Sequence, residues 1–295
     1  MLNIDDSLTL IDKSNGNLAL KLFSFNSLQR FDHIQRLNYY SMIWVLEGSG
    51  KVAADFAEYT WAPNSLIAFT PYQPFMLTST EEVQGISINF HPDFFCIHKH
   101  HDAVACNGVL FNNIYESPVT QLDEKAANQL HPLLQQMKDE MVHGDLAQHE
   151  LLVSYLKIVL IIASRKKVDN QPDALEHKNC ETEPFMLQNL KQMIEEHFRC
   201  KHSASDYADL LNISPKALAK ATKKHFNKTV TELISERIII EAKRELYLTD
   251  KQVKLIASEL GYQDEYYFSR FFKNYADVSP QLFRETVGSN RAASV

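Results

Sequence analysis

The four cysteines of this chain, Cys96, Cys106, Cys180 and Cys200, stand far apart and form no CxxC pair. That spacing argues against a zinc ribbon or a disulfide framework and points to reduced thiols in a cytosol. A basic start followed by an apolar run, the mark of a secretory signal, is missing. The chain instead begins MLNIDDSLTLIDK, with acids where the basic residues would stand. Long apolar runs are missing too: LLVSYLKIVLIIAS (151–164) is too short to span a bilayer and holds Lys157. These absences predict a soluble cytoplasmic protein with no membrane segment. What is present, 295 residues with 45% apolar and 23% charged content, favours two globular domains.

A net charge of −7 speaks against nucleic acid, but its distribution does not. Residues 1–183 hold 13 Lys+Arg against 23 Asp+Glu, whereas residues 184–295 hold 17 against 14. An acidic module is followed by a mildly basic one. The acidic part opens with runs such as LALKLFSF, YYSMIWVLEG, SLIAFT and GISINF, rich in β-branched and aromatic residues and parted by turn formers. They predict strands from residue 17 to about 95, in a sandwich or barrel. Two helical patterns follow. Residues 123–142 place Leu130, Leu133, Leu134, Met137 and Met141 on one stripe, and residues 145–165 are more apolar than one buried face requires. Such excess is either additional core or a dimer contact. The apolar-poor stretch 166–184, with two prolines, is expected to be a linker.

From Pro184 onward the pattern is helical and repeats itself. DYADLLNISPKALAKATKKHF (206–226) matches LIASELGYQDEYYFSRFFKNY (255–275). Each copy has an alanine in a short helix (Ala208, Ala257) and a turn residue four positions on (Asn212, Gly261). A second helix follows, with an anchor (Leu218, Phe268) and a cation two positions later (Lys220, Arg270). The alanines are 49 apart and the anchors 50, so copy two carries one more turn residue. Small residue, tight turn, second helix is the helix-turn-helix pattern.

An ideal helix turns about 100° per residue. On that wheel Tyr267, Phe268, Phe271, Phe272 and Tyr275 share one side, leaving Glu265, Tyr266, Ser269, Arg270 and Lys273 on the other. The aromatics are therefore expected inside, with Tyr266 the only exposed ring. In copy one, Lys216, Lys220, Lys223 and Lys224 oppose Leu218, Thr222 and Phe226. Clustered lysines are ordinarily a solvated face. On the second helix of a helix-turn-helix, however, that face enters a major groove.

IASELGYQDEYYFSRFFKNYADVSPQLFRE (256–285) resembles the signature of the AraC/XylS family of bacterial transcription regulators. The matching positions are Ala257, Gly261-Tyr262, Phe268 through Lys273, Ser279-Pro280 and Phe283-Arg284, and the match extends back through Ala242 and Arg237 to Ala208. Asn227 and Asp277 stand where the family often has glycine, Lys220 where arginine is frequent, and Thr222 where Phe is common. The resemblance implies a multidomain fold. A cupin-like N-terminal β-barrel with two following helices (1–165) leads through the linker (166–184) to an all-α DNA-binding domain (185–290) with helix-turn-helix units at about 205–226 and 254–275. It implies base reading by Lys216, Ala219, Lys220, Glu265, Tyr266 and Arg270, and phosphate contacts from Lys223, Lys224, Ser269 and Lys273. The partners it implies are promoter DNA, RNA polymerase, a small organic effector in the barrel, and a second copy through helices 123–165.

The aromatics of the N-terminal module suit either a filled core or an apolar ligand, so a constitutive or partner-controlled regulator stays open. Tyr40, Trp44, Trp61 and Phe90 are the effector-pocket candidates. A metal-dependent cupin enzyme with an appended DNA module is the rival reading. Tyr39, Tyr40 and Met42 stand where its His-x-His pair would be, and no nucleophile–base constellation is evident. HPDFFCIHKHHD (91–102) gathers His91, Cys96, His98, His100, His101 and Asp102, which suits a solvated turn better than zinc. Neither a cofactor nor a metal is expected.

Overall fold

The computed structural model describes residues 7–12, 16–55, 57–97, 109–144, 146–170 and 185–287. Its contacts divide into two units, one built on the N-terminal strands and the two helices after them, the other on the C-terminal helices together with Ile114–Glu116.

Among the described residues the first unit holds nine strands: β1 (Ser7–Ile11), β2 (Leu18–Phe25), β3 (Tyr40–Glu47), β4 (Gly50–Ala54), β5 (Ala57–Trp61), β6 (Ser65–Phe69), β7 (Phe75–Thr78), β8 (Gln84–Phe90) and β9 (Val119–Gln121). They pair as two sheets rather than one closed ladder, in orders β1-β2-β8-β3-β6-β9 and β5-β4-β7. Residues 40–45 are all buried, because both faces of β3 are covered. On one face Tyr40, Met42 and Trp44 lie across from Phe90, Ile88 and Ile86, packed with α1 (Glu124–His143) and α2 (Gln148–Asp169). On the other, Ile43, Val45, Phe23 and Phe25 pack with Val52, Phe75 and Leu77 of the smaller sheet. One run thus serves two cores through the period-2 alternation of a strand.

β1 lies before the region expected to hold strands; its short alternation of exposed and half-buried residues is that of an edge. Asp123 caps α1 by accepting from the Ala126 amide and also takes a 2.8 Å bond from Lys166 of α2. α2 continues through Asp169, so the first residues of the expected linker are helical, while 171–184 lie outside the described residues.

The second unit consists of α3 (Phe185–His197), α4 (Ala204–Leu210), α5 (Pro215–Phe226), α6 (Val230–Leu248), α7 (Val253–Glu259), α8 (Glu265–Ala276) and α9 (Pro280–Val287). α6 joins the two copies and buries Leu233, Ile234, Ile238, Ile239, Ala242 and Leu246. Glu241 of this helix, 4% exposed at its side chain, accepts from Arg199 (2.7 Å), Arg237 (3.2 Å) and Arg244 (2.9 Å). Burial pushes the Glu241 carboxyl up, but the charges of Arg237 and Arg244 outweigh it and hold it below the ordinary range.

Candidate nucleic-acid interface

The two copies superpose bond by bond. In the first turn the Leu211 amide donates to Tyr207, Asn212 to Asp209 and Ile213 to Ala208. In the second, Leu260 donates to Ile256, Gly261 to Ser258 and Tyr262 to Ala257, each 49 residues on. The next matching bonds, Leu218 to Ser214 and Phe268 to Asp264, are 50 apart. Gln263, just before the Asp264 cap, therefore accommodates the one-residue difference. Ala208 and Ala257 are fully buried at the pivot of each turn, where a larger side chain would part the helices.

Both turns need a left-handed residue. Asn212 has φ 53° and Gly261 φ 83°. A Cβ at Gly261 would lie 2.2 Å from the Arg199 carbonyl oxygen, so glycine is required there for space as well as for φ. Asn227 and Asp277, which replace the family's glycines, close α5 and α8 at φ 54° and 60°. Asn and Asp tolerate that conformation better than most residues. Ser214 caps α5 by accepting from the Ala217 amide, with Pro215 at the first helical position. Asp264 caps α8 through the Tyr266 and Tyr267 amides.

Leu218, Thr222 and Phe226 anchor α5 inward, while Lys216, Ala219, Lys220, Lys223 and Lys224 are exposed on its outer side. Lys223 also donates to the carbonyl of Asn227 (3.0 Å), closing its own helix end. On α8 the inward arc holds Phe268, Phe272 and Ala276. Tyr266, Arg270 and Lys273 are exposed, whereas Glu265 and Ser269 are half-buried.

The expectation of five inward rings needs correction. Tyr267 is 58% exposed beside Tyr266 at 80%, and Phe271 and Tyr275 are only half-buried. The covered arc of α8 is narrower than the wheel suggested. Its flank packs on Tyr262, which lies 5.9 Å from Tyr267 and 5.3 Å from Phe271, ring centre to ring centre. His202 stands 4.9 Å from Tyr262, its pKa lowered by burial.

A family model described as a helix-turn-helix domain matches residues 207–286. The raffinose operon regulator RafR of Pediococcus pentosaceus is 30% identical over 116 residues, 39% of this chain and 41% of its own length. The transcriptional activator RhaS of Enterobacter sp. (strain 638) is 25% identical over 167 residues, 57% of this chain and 56% of its own. Residues 207–286 are thus similar to the helix-turn-helix domain of such regulators. The chain's matches span only about half or less of these regulators' lengths. Among solved structures, ToxT of Vibrio cholerae O395 aligns over 91% of this chain and 97% of its own at 16% identity and TM-score 0.41. The C-terminal domain of AraT from Geobacillus stearothermophilus aligns over 37% of this chain and 91% of its own at 26% identity and TM-score 0.36.

The four effector-pocket candidates do not share one surface. Tyr40, Trp44 and Phe90 face α1 and α2, whereas Trp61 belongs to the core between the sheets. That inter-sheet face carries a row the sequence did not reveal: Lys21, Asn89 and Ser41 are cross-strand neighbours on β2, β8 and β3, with Ser87 one step along β8. Ser41, Ser87 and Asn89 are at most 3% exposed, and the Ser41 hydroxyl has no hydrogen-bond partner. Strand register could have shown this row, but register is set by pairing that a single sequence does not display. Of the histidine run, His91 is buried and its Nδ1 accepts from the Asp93 amide (3.2 Å), while His98, His100, His101 and Asp102 lie outside the described residues. Among the described residues no three metal-binding side chains cluster, and no helix is long and apolar enough to cross a membrane.

Proposed function

We propose that the chain is a DNA-binding transcription regulator that places α5 and α8 in successive major grooves. The observation that carries this is the doubled turn: two identical hydrogen-bond patterns, each followed by a helix with an apolar inward stripe and cations outside. Such a helix presents its outer face to base edges and phosphates. Arg270, exposed on α8, can form the planar two-pronged contact that guanine N7 and O6 accept. Lys216, Ala219, Lys220, Glu265 and Tyr266 complete the base-reading set. Lys223, Lys224, Ser269 and Lys273 fix the register through phosphates. Selection from a pool of random duplexes should enrich a site with two short conserved blocks about 10 base pairs apart. Enrichment of a single block, or of none, would overturn the reading.

An effector in the N-terminal unit, and activation through RNA polymerase, complete the proposal. The orphan Ser41 hydroxyl in the Lys21–Asn89–Ser41 row supports a ligand seat between the sheets, because a buried hydroxyl without a partner costs about 1–3 kcal/mol. A ligand acts as an effector only if it binds the DNA-competent arrangement better than the other. Ser41→Ala should therefore abolish effector-dependent DNA affinity while leaving basal affinity intact; unchanged dependence would move the seat elsewhere. Two-fold pairing through α2 is supported by Leu151 and Ile158, each at least 40% exposed and seven residues apart, hence on one side of the helix. Leu151→Glu with Ile158→Glu should halve the mass in solution, and a monomeric parent protein would refute the pairing.

A further inference from the structure

Three residues from the N-terminal half of the sequence are built into the helical unit. Ile114–Glu116 belongs to that unit although the segments on both sides belong to the other. Ile114 is 5% exposed, and its carbonyl accepts a 3.0 Å bond from Lys228, which is itself buried and paired with buried Glu236 at 2.8 Å. The ring of Tyr115 lies 5.9 Å from Phe226, the last residue of α5, and the Lys191 ammonium stands over both rings at 5.4 and 5.3 Å. The Tyr115 hydroxyl donates to Glu195 of α3, whose other carboxylate oxygen holds Arg237 of α6 at 2.8 Å.

Such a three-residue strap therefore touches α3, the end of α5 and Lys228 in the turn that leads into α6. Removing it would leave the Lys228 charge short of an acceptor inside the protein, a costly state. It would also uncover Phe226, one of the three anchors that set the orientation of α5. At the positions of copy two that correspond to Phe226 and Lys228 stand Ala276 and Val278, on either side of Asp277, neither aromatic nor cationic.

We propose that Ile114–Tyr115–Glu116 is a positioning element of the first DNA-reading helix, a strap that sets the orientation of α5 while leaving α8 alone. The DNA consequence rests on the function proposed above; the positioning itself does not. Full-length protein carrying Tyr115→Ala should show amide hydrogen exchange across residues 218–228 at least about tenfold faster, with residues 265–276 unchanged. Tyr115→Phe, which keeps the ring and its packing, should restore slow exchange. Unaltered exchange in α5, or an equal rise in α8, would overturn the proposal.

DNA supplies the second arm. Random-duplex selection with Tyr115→Ala should lose one of the two conserved blocks and keep the block in which Arg270→Ala relaxes a base preference. If wild-type protein enriches no two-block site, the DNA reading falls, while the exchange result still decides the strap. Two blocks retained by Tyr115→Ala would overturn the strap alone.

Discussion

The two helix-turn-helix copies share a backbone and divide the work. α5 offers four lysines on its exposed side, while α8 offers one arginine, one lysine and two exposed tyrosines. Lysine is a compact, strongly hydrated point charge, whereas arginine is a planar fork matched to guanine. Under the proposed DNA reading, the same scaffold gives more phosphate affinity and weaker base preference in copy one, and sharper discrimination in copy two. The lesson is that fold repetition does not imply repetition of readout, because the turn is fixed by buried residues and the readout by exposed ones.

The largest break in this comparison lies in the core of copy two. Phe272 is fully buried, 5.6 Å from Phe283 and 6.2 Å from Phe268. Phe272→Ala should cost about 3–5 kcal/mol in denaturant unfolding. At the corresponding position of copy one stands Thr222, whose hydroxyl bonds the Ala219 carbonyl at 3.2 Å. Removing that smaller side chain should cost clearly less. Comparable losses from Phe272→Ala and Thr222→Ala would show that the two cores are not organised as described.

The turns provide the next contrast. Gly261→Ala meets both a left-handed φ and the Arg199 carbonyl, so a loss of about 2–3 kcal/mol is expected. Asn212→Gly, at the same turn position, keeps the conformation accessible and should shift stability by less than about 1 kcal/mol. Thermal unfolding of the two variants side by side checks this, and similar midpoints would contradict it.

Much of this architecture was legible in the sequence, for a physical reason. The helix-turn-helix copies are local: Ala208, Asn212 and Leu218 lie within eleven residues of one another, so spacing alone displays the motif. The strands LALKLFSF and GISINF were equally visible, being short, β-rich and bounded by turns. What could not be read depends on contacts between distant segments. Trp44 and Trp61 look alike in sequence, yet strand pleat and pairing send them to different cores. Tyr115 is 80 residues from Glu195 and over 100 from Phe226, and no periodicity joins them. Helical projection placed Phe268 and Phe272 inside but overstated the buried arc at Tyr267, because projection gives direction and says nothing of how far the neighbours extend.

For DNA, Arg270→Ala should cost about 1–3 kcal/mol at the selected site and relax one base preference. Lys220→Ala, the matching position of copy one, should discriminate between selected and random duplexes less, because an ammonium lacks the planar fork of a guanidinium. Competition binding with both DNAs distinguishes the two. Equal weakening of both DNAs by Arg270→Ala would sink its assignment to base reading.

The smallest effect is expected at Lys224, and it is the one that most sharpens the division of labour. Lys224 is exposed near the end of α5, and neighbouring Lys223 already spends a bond on the Asn227 carbonyl. A lysine that neutralises one phosphate releases about one counterion, so its loss should lower the slope of log K against log salt by about 0.9. The affinity change at moderate salt would be well under that of Arg270→Ala, and it should be the same for every sequence. Binding titrations at four salt concentrations give the slope directly. An unchanged slope with weakened affinity would mean that Lys224 acts by a contact other than phosphate, and copy one would then discriminate more than its lysines suggest.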